Sequence, residues 1–117
     1  MDQDFGSLTR QYVAAFDAMD IDACAALFTD DFVLEDPAGR FAGKQTVVDY
    51  VKGLFDQQTE KLSFVADKIV VDPETASSVI EFTLKLGDTT LVGTDVIEWA
   101  GPQMKALRAY LYETTGS

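Results

Sequence analysis

The chain has 117 residues, 47% hydrophobic and 25% charged, which suits one globular domain with a single core. Twenty acidic residues against nine basic ones give a formal charge of −11, which argues against nucleic acid and anionic membranes as partners, since both require clustered Lys and Arg. Histidine is absent, which removes Ser-His-Asp and Cys-His catalysis and the commonest metal ligand.

The opening MDQDFGSLTR has neither the basic start nor the apolar stretch of a secretion signal. The longest apolar run, Ala23 to Phe28, is far too short to span a bilayer, so a cytoplasmic protein is the expectation. Ser7 to Met19 carries Leu8, Tyr12, Val13, Phe16 and Met19 at helical spacing. Asp20 is suited to cap a second helix, Ile21 to Phe28, by accepting from the free amides of its first turn. That helix holds Cys24, the only cysteine, on its apolar face, where a buried structural thiol is expected.

Asp30-Asp31 breaks the helical pattern, and Phe32 to Asp36 reads as a short strand ended by Pro37 and turned by PAGR. Gly43 precedes a third helix, about Gln45 to Phe55, with Val47, Val48, Val51, Leu54 and Phe55 as its apolar stripe. Beyond it the period changes from 3.6 to 2 and four strands follow: about Leu62 to Val71, Ala76 to Leu86, Thr89 to Trp99 and Met104 to Tyr112. Asp72-Pro73, Gly87-Asp88 and Gly101-Pro102 mark turns short enough to join antiparallel neighbours. Three helices followed by a meander predict an α+β fold with the helices on one face of the sheet.

Alternation assigns the strand faces. Ile80, Phe82, Leu84 and Leu86 share one face of their strand, and Leu107, Ala109 and Leu111 share one face of theirs. The same rule turns Asp36 inward with Phe32 and Leu34, and Asp95 inward with Leu91, Ile97 and Trp99. Each acid has an ordinary explanation: Asp36 can cap the PAGR turn, and Asp95 can sit at a sheet edge or accept from Thr94. Tyr12 on the first helix can equally be core packing with its hydroxyl on a carbonyl. Taken together the three form a device. A carboxyl in an apolar hollow is held neutral and donates a hydrogen bond beside a tyrosine hydroxyl, while a second, ionised acid acts as base. Two donors on one oxygen and a nearby base are what proton abstraction next to a carbonyl needs.

The run QYVAAFDAMDIDACAALFTDDFVLEDPAGR, Gln11 to Arg40, resembles the N-terminal third of bacterial Δ5-3-ketosteroid isomerases, above all in the EDPxG segment, Glu35 to Gly39. More widely, nearly the whole chain resembles the NTF2-like, or SnoaL-like, superfamily. That resemblance implies a cone of three N-terminal helices on a curved antiparallel sheet. It further implies Asp36 as the general base, Tyr12 as a donor to the enolate oxygen, and Asp95 of GTDVIEW as a second, protonated donor. A carboxylic acid kept neutral for this purpose is a known feature of that family. Thr94 takes the place of Asp95 unless the Trp99 to Gln103 hairpin is one residue shorter, and strand parity favours Asp95.

The reaction expected from the resemblance moves a double bond from Δ5 to Δ4 through a dienolate. The apolar pocket for the steroid would be lined by Phe82, Leu84, Ile97, Trp99, Leu107 and Leu111, with no cofactor and no metal. Relatives pair as homodimers through the outer sheet face, which here offers Val79, Val96, Tyr110 and Tyr112. Two alternatives stay open: SnoaL-like cyclase or hydrolase chemistry on another apolar carbonyl or epoxide, and a non-catalytic binding or dimerisation module.

Overall fold

The computed structural model describes residues 4–114; residues 1–3, where the segment read for a secretion signal begins, and residues 115–117 lie outside the description. Helix α1 (Phe5–Asp17) starts at Asp4, whose carboxylate accepts from the Ser7 amide. Helix α2 (Ile21–Ala26) starts at Asp20 as expected, with the Ala23 amide donating to its side chain. Strands β1 (Phe28–Asp36) and β2 (Gly39–Ala42) form a hairpin, and helix α3 (Lys44–Asp56) follows from Gly43. The chain then runs through β3 (Ser63–Asp72), β4 (Ser77–Leu86), β5 (Thr89–Ala100) and β6 (Gln103–Glu113). Among the described residues no helix is long and apolar enough to cross a membrane.

The six strands lie in the order β2-β1-β6-β5-β4-β3. The last four form the expected antiparallel meander, but β1 pairs parallel with β6, so the sheet is mixed rather than antiparallel throughout. Two further elements depart from the sequence pattern. Phe28 belongs to β1 and not to α2: its register partner is Met104, and the neighbouring Leu27 carbonyl accepts from the Met104 amide. Here tertiary pairing overrides a helical apolar run. Strand β2 is a short, mostly exposed edge carrying a single large apolar residue, Phe41, so it offers no alternation to detect.

Helices α1 and α3 cover the inner face, α1 over β3 and β4 and α3 over β1. Between them lies an aromatic core in which Phe28 and Phe32 stack with ring centroids 4.2 Å apart. Burying each such ring contributes about 1.5–3 kcal/mol relative to leaving it in water. Cys24 is fully buried, as a structural thiol should be, and burial pushes its pKa up to about 12, so it stays an inert, neutral group.

A buried polar chain pins the far end of this core. The Trp99 indole N–H donates to the Ser78 hydroxyl at 3.0 Å, and the Thr9 hydroxyl bonds both Ser78 (2.7 Å) and the Phe5 carbonyl. Trp99 also stacks on Phe5, at 6.0 Å. These contacts fix α1 on β4 and β5 and so set the position of Tyr12, two helical turns after Phe5 and about one after Thr9.

Candidate active site

Asp36 ends β1. Its Oδ1 accepts from the Ala38 amide at 2.8 Å, so it does cap the turn that Pro37 begins. Its Oδ2 accepts from the Tyr50 hydroxyl at 2.6 Å, a short charge-assisted bond. Tyr50 lies on α3 and stacks on Phe41 of β2 with ring centroids 4.0 Å apart. The same carboxylate therefore ties the β1–β2 hairpin to α3 and faces a cavity.

That cavity is lined by Tyr12, Asp36 and Asp95 together. Its walls are otherwise mostly apolar and include Leu34, Phe64, Phe82, Leu84, Leu107 and Leu111. Its volume is about 90 Å³. Tyr12 comes from α1 and is buried against Phe16 and the edge of Phe64. Asp95 comes from the middle of β5, between Ile80 of β4 and Ala109 of β6, and is 4% exposed, so the edge-strand explanation for it does not hold.

The electrostatics follow from this burial. Desolvation first, and the Asp36 charge second, push the Asp95 pKa up to about 7. Desolvation also holds the Tyr12 hydroxyl well above its usual range, helped by the charge of Asp95 when it is ionised. Tyr12 is thus a donor at every ordinary pH, and Asp95 carries a proton in a large fraction of molecules near neutrality. Tyr50 is raised to about 12 by partial burial and by its bond to Asp36, and it too remains protonated. Three proton-bearing oxygens and one turn-capping carboxylate border one small hollow. This set can hold a developing negative oxygen and accept a proton from an adjacent carbon.

Of the apolar residues expected to line the pocket, Phe82, Leu84, Leu107 and Leu111 do. Ile97 and Trp99 are the correction: both are fully buried, but they lie further along β5, Ile97 opposite Ser78 and Trp99 against Phe5 and Ser78, and not on the cavity. Alternation fixes the face of a strand, not the position along it, and β5 is 12 residues long. Tyr50 was missed. It stands three residues after Val47 and four before Leu54, hence on the same helical face, and that spacing was the available signal. Among the described residues no group of three or more His, Cys, Asp or Glu side chains could hold a metal ion.

Several solved structures share this architecture. A cystatin-like-fold protein of unknown function from Methylobium petroleophilum PM1 superposes with a TM-score of 0.81 at 20% identity, over 95% of this chain and 77% of that one. A proposed ketosteroid isomerase from Kribbella flavida DSM 17836 gives 0.79 at 19% identity, over 95% and 79%. A proposed polyketide cyclase from Sinorhizobium meliloti gives 0.77 at 15% identity, over 89% and 94%. At such identities the likeness establishes a common fold and nothing about activity. No curated protein matches the chain. The profile of the SnoaL-like domain matches residues 9–107, from within α1 to the first part of β6, and the chain belongs to that family.

Proposed function

We infer that the protein is an enzyme of the isomerase or cyclase type acting on an apolar carbonyl compound by proton abstraction at the carbon next to the carbonyl. Tyr12 and protonated Asp95 hold the carbonyl oxygen, Asp36 removes the proton, and the negative charge that develops on oxygen is met by the two donors. The proton on Asp36 is then returned to the carbon skeleton. The observation that carries this reading is the convergence of Tyr12, Asp36 and Asp95, from three distant parts of the chain, on one mostly apolar cavity. Fold likeness to a proposed isomerase and a proposed cyclase agrees with it.

A second, narrower reading is Δ5-to-Δ4 isomerisation of a 3-ketosteroid, favoured by the EDPAG segment, Glu35 to Gly39, joined to the Tyr12 and Asp95 pair. The cavity volume of about 90 Å³ weighs against it, because sites for drug-sized ligands are roughly 300–1,000 Å³. A single six-membered ring is a closer match to that space. Epoxide hydrolysis ranks below both, since it would require an arginine between two carboxylates, and Arg108 is instead paired with Glu98.

Absorbance at the conjugated-enone band tests the two carbonyl readings. Purified protein is mixed in parallel with 3-cyclohexen-1-one and with 5-androstene-3,17-dione. Conversion of the monocyclic enone supports the general reading, and conversion of both supports the steroid. Conversion of neither, with retained ligand binding, would point to a binding module. The protein also pairs as a homodimer in this reading, through the outer face where Tyr110 and Tyr112 are exposed beside half-buried Val79 and Val96, and sedimentation equilibrium measures it.

A further inference from the structure

Tyr50 lies between two spaces. On one side is the inner cavity; on the other is a groove of about 330 Å³ on the outer side of α3, bordered by Asp49, Gly53 and Gln57, with Tyr50 and Leu54 as shared walls. The Tyr50 ring is held at its tip by Asp36 and along its face by Phe41. One turn along the helix, at the position that neighbours Tyr50, stands Gly53. A methyl group added there would meet nothing within 4 Å, so the surface beside the ring is open.

We propose that Tyr50 is the specificity-determining gate of the site: ligands larger than one ring enter when its side chain leaves Asp36 and turns into the hollow over Gly53, joining the groove to the inner cavity. The substrate class then extends to fused-ring carbonyl compounds. Other walls are less free to move. A hollow of about 350 Å³ lies past Asp36, Ala109 and Leu111, where β1 no longer pairs with β6. There Asp36 is fixed by the Ala38 amide, and the Leu111 backbone is pressed against Gly93. A glycine inside α3 costs about 1 kcal/mol of helix stability relative to Ala, and a hollow kept for a turning ring gives it a reason.

The proposal rests on the reading above only in that Tyr12 and Asp95 hold a ligand oxygen. Phenols, whose oxygen resembles that of an enolate, serve as probes: phenol, 2-naphthol and 2-anthrol, with dissociation constants from titration calorimetry. Gly53→Leu places a side chain in the hollow, its Cβ with no other atom within 4 Å, and replaces glycine by a better helix former. It is expected to leave phenol affinity unchanged and to weaken 2-anthrol by roughly tenfold or more, the scale of a steric mismatch in an apolar pocket. Tyr50→Ala, an open gate, should raise the affinity for 2-anthrol relative to phenol. Unchanged 2-anthrol affinity in Gly53→Leu, with phenol still bound, overturns the gate alone. Phenol affinity insensitive to Tyr12→Phe and Asp95→Asn overturns the reading of the site, and the gate with it.

Discussion

Replacing Asp95 by Asn removes a buried charge and changes almost nothing else in shape. Asp95 has its pKa raised from 3.8 to about 7 in the folded chain. An acid raised in this way is bound to a proton in the native state over a range where the unfolded chain has released it. Its contribution to stability is therefore most favourable below about pH 4, declines as pH rises through 7, and is constant above that. That interval is roughly three pH units wide, which at about 1.4 kcal/mol per unit makes ionised Asp95 cost the fold roughly 4 kcal/mol at pH 8. Asn is neutral at every pH, so Asp95→Asn should match the parent protein near pH 4 and exceed it by several kcal/mol at pH 8. Urea unfolding of both proteins from pH 4 to 9 measures the difference, in which the contribution of the other acidic residues cancels. A difference that is flat with pH would show that Asp95 titrates as an ordinary acid, and one in which the parent gains on the variant as pH rises would show that it is stabilised as a carboxylate. Either way it would be ionised at neutral pH and could not be the second donor.

Two other substitutions probe the frame around the site. A Cβ at Gly93 would collide with the Tyr110 carbonyl and lie 2.7 Å from Leu111 Cα, both on β6. Gly93→Ala should therefore destabilise by about 1–3 kcal/mol and shift Leu111 into or away from the cavity; an unchanged denaturation midpoint would contradict the close approach. Thr29 has a buried hydroxyl without a partner among the described residues, where β1 and β6 slip register. Thr29→Val should raise stability by about 1 kcal/mol in the same denaturation assay, and a loss would mean that the hydroxyl is satisfied.

What was legible in the sequence was the pattern set by local periodicity. Asp20 at the start of α2, the three turns of the meander and the inward parity of Asp95 all follow from spacing and turn chemistry, and all three are present. What was not legible depends on partners distant along the chain. Phe28 becomes a strand residue because Met104 pairs with it, and β2 exists because the β1 edge needed a neighbour. Ile97 and Trp99 share the inward face with Asp95, yet Ile97 lies opposite Ser78 of β4 and the placement of α1 brings Trp99 against Phe5, away from the cavity. For Asp36 the turn-capping explanation holds on one carboxylate oxygen, while the other accepts from Tyr50 beside the cavity, a partner that no spacing in the EDPAG segment reveals.

The claim on which the rest depends is that Asp36 takes a proton from carbon while Tyr12 and Asp95 steady the oxygen. Deuterium exchange at the carbons flanking the carbonyl of cyclohexanone, followed by proton NMR in D₂O, reports that step without requiring the natural substrate. The parent protein should catalyse the exchange, and Asp36→Asn should lose it by about a hundredfold or more, the usual worth of a positioned base. Exchange that proceeds as fast in Asp36→Asn as in the parent protein would contradict the account.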